Sequence, residues 1–386
     1  MDLSIATCES YESEAVEGAL RQALDALGGL DWVRPGMRIA VKANLVSFLK
    51  PEAAATTHPA VLCALTKLLV ERGAQVVIGD SPGGLFNAAF VGRVYAATGM
   101  HLAETCGAVL NQNFAIEEID FPQAKAAKHF TATAWLGEAD AIINVCKLKS
   151  HGMMSMSAAV KNMFGAIPGT MKPEYHYKYP NESDFADMLV DLNEYFKPRL
   201  CIADAIIGME GNGPTRGKPR AIGALLASES PYALDLACAH IMGLGIDDVP
   251  TLAAAQRRNL MAESVDALSV AGDLEVHCVA DFDNILSRHG LDFSGDGALR
   301  QLVGRAMMTA LASRPRLKAE ACIGCGLCAR TCPAHAIDMA HDLPRIRRQR
   351  CIRCFCCQEF CPKGAMVVYR PVIARLLNPQ GRAEHS

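Results

Sequence analysis

One cysteine ladder is written twice near the end of the chain. Cys322, Cys325, Cys328 and Cys332 read C-x2-C-x2-C-x3-C and run into Pro333. Cys351, Cys354, Cys357 and Cys361 repeat that spacing 29 residues on and run into Pro362. Three thiolates two residues apart wrap a tight loop around a four-iron cluster and supply three of its ligands. In this pattern the fourth cysteine of each run ligates the other cluster. The expected cofactors are therefore two 4Fe-4S clusters. The first takes Cys322, Cys325, Cys328 and Cys361, and the second Cys351, Cys354, Cys357 and Cys332. Proline after each crossing ligand fixes φ and helps turn the chain away. Cys356 is a fifth cysteine in the second run; the repeat aligns it with Leu327, so it reads as a buried non-ligand. Zinc sites favour C-x2-C pairs with four ligands in all, not two runs of four closed by C-P. Disulfides fit poorly with a chain that shows no secretion signal.

This spacing is that of a dicluster ferredoxin, but 386 residues are too many for a ferredoxin alone. With 51% hydrophobic residues the preceding 300 or so can bury a sizeable core. A net charge of −3 gives no global pull toward nucleic acid or membrane. No basic and apolar leader and no long apolar run is apparent, so a cytoplasmic chain without membrane spans is expected. Cys8, Cys63, Cys106, Cys146, Cys201, Cys238 and Cys278 are scattered without metal spacing and read as small buried hydrophobes.

Strand-like and helix-like segments alternate before the ladder. Arg38 to Val46, Gln75 to Ile78, Ala139 to Val145, Leu200 to Ile207 and Ala221 to Ala227 read as strands. His58 to Arg72, Ser155 to Phe164 and Pro231 to Met242 read as helices, and Gly208 to Gly217 as a glycine-rich loop. The expected fold is α/β, a mainly parallel sheet with flanking helices, followed by a small α+β dicluster module. The α/β domain is assigned to residues 1–313 with its core at about 38–250, the module to 316–370 and a tail to 371–386. A helix over Leu299 to Ala312 is expected before the boundary, and the tail has a short apolar stretch.

In α/β sheets ligands gather beyond the carboxyl ends of strands. Lys147, Lys149 and His151 leave one such strand; if it continues, all three face one way. Lys42 and Asn44 end another strand, and Lys161 and Asn162 lie on the next helix. Cations there suit an anionic small molecule. His151, Lys149 and Lys161 are candidates for proton transfer. Spacing by itself favours solvated surface lysines. Asp204 sits inside an apolar strand, where an ionised carboxylate needs a partner or a job. Asp80 and Glu210 stand at glycine-rich turns. Arg345, Arg347, Arg348, Arg350 and Arg353 could steer an acidic redox partner protein, or simply solubilise that face. Too few aromatics interleave them for nucleic acid.

Several of these runs together resemble the "domain of unknown function 362" family: VKANLV (41–46), RGAQVVIGDSPGG (72–84), INVCKLKSHG (143–152), AAVKNMFGAIPG (158–169) and IADAIIGMEGNGPTRGKPR (202–220). The resemblance implies a cytosolic iron–sulfur protein and singles out Lys42, Asn44, Asp80, Lys149, His151, Lys161, Asn162, Asp204 and Glu210. The leading expectation is low-potential electron transfer to or from a small anionic ligand in the α/β domain. Two alternatives stay open: a dedicated electron carrier whose large domain docks partner proteins, and a non-redox, isomerase-like enzyme with structural clusters.

Overall fold

A computed structural model describes residues 1–285, 313–369 and 371. The helix expected over Leu299 to Ala312 and the tail from 372 fall outside the described residues. In chain order the elements are β1 (Leu3–Thr7), α1 (Ser13–Asp25), β2 (Arg38–Lys42), α2 (Pro59–Glu71), β3 (Gln75–Gly79), α3 (Ala88–Thr98) and α4 (His101–Glu104). Then come β4 (Val109–Leu110), β5 (Ile116–Asp120), β6 (His129–Thr133), β7 (Ala141–His151), β8 (Ser155–Ser157), α5 (Ala159–Asn162), α6 (Lys172–Lys178) and α7 (Glu182–Phe196). The α/β part closes with β9 (Leu200–Glu210), β10 (Lys218–Ser228), α8 (Pro231–Ile241), α9 (Pro250–Arg257) and β11 (Val270–Ala271).

Nine strands form one sheet in the order β11-β1-β10-β9-β7-β2-β3-β4, with β8 hairpinned onto β7. The run from β9 to β4 is parallel throughout, while β10 joins β1 and β9 antiparallel. The centre reads as continuous apolar sequence because helices cover both faces: Ile39, Val41, Ile78, Ile143, Val145 and Ile202 are all fully buried or nearly so. One face packs on α1, α2 and α3, the other on α7 and α8.

The chain adds β3 and β4 on one side of β2, then crosses to add β7 and β9 on the other. Such a reversal leaves a crevice beyond the strand ends. β2 stops at Lys42, four residues before the end expected from sequence, whereas β7 runs on to His151. Beyond Asn144, β7 pairs with β9 and then β8 instead of β2. The segment read as one helix from Ser155 is instead β8, the single turn α5 and a 3-10 turn at Met163–Ala166. The carboxylate of Asp235 on α8 accepts from the Ala159 and Val160 amides at 2.6 and 3.2 Å, which fixes where α5 begins. The first three residues of the expected glycine loop are strand, since β9 continues to Glu210. α2 is buried nearly all round. Two cysteines expected as isolated hydrophobes, Cys63 and Cys106, are joined as a disulfide with Cα atoms 5.6 Å apart.

After the α/β part, β12 (Arg314–Leu317) pairs with β15 (Met366–Tyr369), and β13 (Ile337–Ala340) with β14 (Leu343–Ile346). The cysteine repeat is also a backbone repeat. Helix Leu327–Arg330 and strand β13 recur 29 residues on as helix Cys356–Glu359 and strand β15. Positive φ at Gly324 and Gly326 recurs at Arg353 and Phe355. Phe355, Cys356 and Val368 share a core with Phe164 and Phe185 of the α/β part. Gln358, fully buried, donates to the Asn212 carbonyl at 2.9 Å, and Arg216 to that of Pro362 at 2.7 Å.

Candidate functional site

The cysteine ladder folds into two small cavities. One is lined by Cys322, Cys325, Cys328 and Cys361 among Leu317, Ile323, Met339 and Met366. The other is lined by Cys332, Cys351, Cys354 and Cys357 among Pro315, Ile337, Ile346 and Ile352. Each cavity thus takes three cysteines from one run and the last from the other. The crossing sulfurs are held alike: the Ala336 amide donates to Cys332 Sγ and the Ala365 amide to Cys361 Sγ, each at 3.2 Å. Amide donors to sulfur are a means by which a protein stabilises thiolate ligation. Four thiols around an apolar hollow, with donors on the crossing sulfurs, fit an iron–sulfur cluster in each cavity. The first set includes the exposed Cys325; in the second, Cys354 and Cys357 are buried.

A third cavity, of about 70 Å³, lies where the module covers the carboxyl ends of β2 and β3. Asn44 and Val46 come from the chain after β2, and Asp80, Pro82 and Gly83 from the chain after β3. Lys149 comes from β7, Lys161 and Asn162 from α5, and Lys172 and His176 from α6. The module supplies Cys356, Glu359 and Phe360 as the facing wall. Cys356 also lines the cavity of the second cysteine set, so one side chain borders both spaces.

Cations outnumber anions here. Asp80 pairs with Lys42 at 2.8 Å, and its other oxygen accepts from the Leu45 amide at 2.8 Å. Among the described residues Lys149 has only neutral partners, Asn44 Oδ1 and the Ala55 carbonyl, each at 2.6 Å. Burial, reinforced by the neighbouring charge of Lys161, pulls its pKa down to about 7. Burial also lowers Lys172 to about 8, with its ammonium on the Ser81 carbonyl. Lys161 is lowered by burial against the pull of Glu359; among the described residues its Nζ makes no hydrogen bond or ion pair and sits 5.6 Å over the Phe164 ring. His176 is buried and stacked on Phe185, and its Nδ1 has no hydrogen-bond partner. Burial opposes the charge on Glu359, but His151 and Lys161 outweigh it and hold the carboxyl at about 2. Among the described residues, three lysine amines therefore face one carboxylate, Glu359, that is not paired with a lysine. Unpaired buried charge is costly, so the arrangement calls for an anion.

Asn44, Asp80, Lys149, Lys161 and Asn162 come together in this wall, and Lys42 stands behind it. The lysines are not solvated: Lys42, Lys147 and Lys149 are at most 1% exposed. His151 is fully buried outside the cavity lining. Its Nδ1 accepts the Met153 and Met154 amides at 3.1 Å each, which places the Nε2 proton toward Glu359, 3.2 Å away. Burial holds its pKa at about 4, so it is neutral near pH 7. Lys147 and Asp204 pair at 2.9 Å with Tyr11 bridging them, away from the cavity. Glu210 lies apart, 3.7 Å from Arg220 and accepting from the Asp283 amide. Lys172, His176 and Glu359 were missed from sequence; a lysine in an irregular segment and a glutamate inside a cysteine loop carry no pattern that marks them.

A large groove of about 740 Å³ adjoins the small cavity, sharing Gly83, Glu359 and Phe360 with it. Its walls include Phe48, Leu85 and Phe90 on one side, and Leu327, Cys332 and Cys361 on the other.

A mainly parallel α/β sheet whose strand-end crevice is roofed by a cysteine-rich module defines an iron–sulfur protein with an enclosed polar site. Residues 39–240 match the domain of unknown function DUF362, and residues 314–362 match a 4Fe-4S dicluster domain. The chain belongs to the DUF362 family, fused to a 4Fe-4S dicluster domain. It is 34% identical over 267 residues to the thylakoid-associated protein sll1697 of Synechocystis sp. (strain ATCC 27184 / PCC 6803 / Kazusa), covering 67% of this chain and 79% of that one. Among solved structures, the lactate racemase apoprotein of Thermoanaerobacterium thermosaccharolyticum aligns with 63% of this chain at a TM-score of 0.41 and 12% identity. The alignment spans 57% of the racemase chain. No described helix is long and apolar enough to cross a membrane.

Proposed function

We propose that the protein is a cytoplasmic, two-cluster oxidoreductase in which Lys149, Lys161 and Lys172 hold a small anion against the dicluster module. One observation carries this reading: the cation-rich cavity has Cys356, Glu359 and Phe360 of the module as its wall. Bound clusters supply electrons singly at low potential. Lys161, whose ammonium has no hydrogen-bond or ion-pair partner among the described residues, binds the anion directly. Lys149, with a pKa of about 7, both attracts the anion and can surrender a proton to it at neutral pH. Phe360 and Phe164 keep bulk water from the cavity. The lysine pairs Lys42–Asp80 and Lys147–Asp204 are scaffold. A redox partner meets the module's exposed face, where Arg345, Arg347, Arg348, Arg350 and Arg353 are all exposed and Ile323, Met339 and Leu343 present apolar surface.

The test is anaerobic. Chemically reduced protein is mixed with a panel of carboxylates and phosphate esters, and the recovery of visible absorbance is followed beside iron content. Stoichiometric reoxidation by one anion, lost in Lys149→Ala with iron unchanged, is the expected result. Reoxidation by partner proteins alone makes this a carrier, and turnover indifferent to redox state makes it an isomerase-like enzyme. Cytoplasmic residence suits eight cluster thiolates and six further free thiols. It also means that Cys63 and Cys106 should both alkylate when cells are lysed directly into denaturant and alkylating reagent without reductant, and full resistance to labelling counts against that compartment.

A further inference from the structure

The two adjoining spaces differ in size and chemistry, and together they describe one ligand. The inner cavity, about 70 Å³, holds roughly two waters' worth of volume. That suits one carboxylate or phosphate group and leaves no room for a larger organic body. The groove outside it, about 740 Å³, lies in the range of pockets that enclose drug-sized molecules. Its walls are mainly apolar, with Phe48, Leu85, Phe90, Pro173, Leu327 and Phe360, while Lys178, Arg216 and Arg330 add charge to the lining. Phe48 and Phe90 meet edge to face at 4.8 Å, which makes a firm aromatic corner. Leu85 and Phe48 are 55% and 39% exposed, apolar area that a ligand would cover. Glu359 and Phe360 form the neck between the two spaces.

We infer that the ligand is an amphipathic oxyanion, with its carboxylate or phosphate head among Lys149, Lys161 and Lys172 and an extended apolar body lying along the groove. This inference rests on the anion reading above and adds the body. The body would pass along the face that carries Cys332 and Cys361, so the groove also fixes which part of the ligand lies beside the cysteine module.

Binding to the iron-loaded protein tests it without any turnover. Acetate, 2-naphthoate, inorganic phosphate, 2-naphthyl phosphate and neutral 2-naphthol are titrated by calorimetry. The naphthyl anions should bind on the order of a hundredfold tighter than their small counterparts, from the apolar area they cover. The stronger series, carboxylate or phosphate, identifies the head group. 2-Naphthol should bind at least about tenfold more weakly than 2-naphthoate, for want of a charge. Leu85→Asp, a change at an exposed position, should collapse the ratio of naphthoate to acetate affinity. Lys161→Met should weaken every anion about equally and preserve that ratio. Equal affinity for long and short anions overturns the inference, as does 2-naphthol matching 2-naphthoate, or a groove closed by self-association that admits neither. Tight naphthoate binding without reoxidation of reduced protein leaves this inference standing and removes the electron-transfer reading instead.

Discussion

Lys149 shows what burial does to a cation that has no carboxylate of its own. Desolvation favours its neutral form, and the like charge of Lys161 adds to that, bringing the pKa to about 7. Lys172 follows at about 8, again through burial. Both groups attract an anion only while protonated. Anion affinity should therefore be highest at about pH 6 and fall by roughly tenfold or more by about pH 9, as the two charges are lost in turn. Calorimetric titration with 2-naphthoate across that range checks the sign; affinity that rises with pH would exclude these lysines from the site. In Lys161→Met the lower midpoint, that of Lys149, should move upward, because a repelling charge beside it is gone. The cysteines make a second residue-scale prediction. Wild-type protein should carry about eight irons per chain. Cys332→Ala and Cys361→Ala should each lose about half of that iron, by damaging different clusters, while Cys356→Ala keeps it all. Iron and sulfide assays decide, and an iron loss in Cys356→Ala would make that residue a ligand.

At the scale of elements, the site depends on strands of unequal length. β2 ends at Lys42 while β7 continues to His151, and the gap beside the longer strand becomes the crevice. The 3-10 turn after α5 must then pass very close to the Lys42–Asp80 pair. A Cβ on Gly165 would stand 2.2 Å from Asp80 Oδ1 and 2.4 Å from Lys42 Nζ. Gly165→Ala should therefore part the pair and cost about 2–4 kcal/mol in a denaturant titration, since it strands buried charge. A loss below about 1 kcal/mol would mean that the turn can yield. Asp235→Ala should cost about 2–3 kcal/mol by leaving two buried amides of α5 without an acceptor. Much of this level was legible in the sequence. Apolar runs such as AII at 141–143 and LCIA at 200–203 read as buried strands, and the alternation Lys147, Lys149, His151 gave β7 its extension once the strand was assumed to continue. The directions of those side chains were not legible. β9 is irregular opposite Lys147 and Lys149, pairing them with Asp204 and Met209, so one lysine meets a carboxylate and the next does not. Spacing also favoured solvated lysines, because nothing local signals that a distant module will roof them over. Ser155 to Phe164 has helical spacing, yet β8 takes its first residues because the open edge of β7 offers a better partner.

In the whole molecule the cysteine module is part of the site's wall rather than an appendage. Gln358 and Arg216 tie it to the β9–β10 loop, and Gly152 leaves room for the ring of Phe355, whose atoms would stand 3.2 Å from a Cβ there. Glu359, Phe360 and Cys356 all sit in or beside the helix that begins inside the second cysteine run. The positions of these wall residues follow from how the loop around Cys351, Cys354 and Cys357 is wound. Metal-ligand bonds hold such loops in small modules, and chelation commonly unfolds them. Cluster loading and anion binding are thereby coupled through the wall itself, with no need for electron flow. Protein stripped of iron by a chelator should bind 2-naphthoate at least about tenfold more weakly than loaded protein, even though every lysine of the site belongs to the α/β part. Reconstitution with iron and sulfide should restore the affinity. Reciprocally, the bound anion should slow iron loss to the chelator, because linkage acts equally in both directions. Stripped protein that binds the anion as tightly as loaded protein would show that the module merely lies over a site the α/β sheet completes alone.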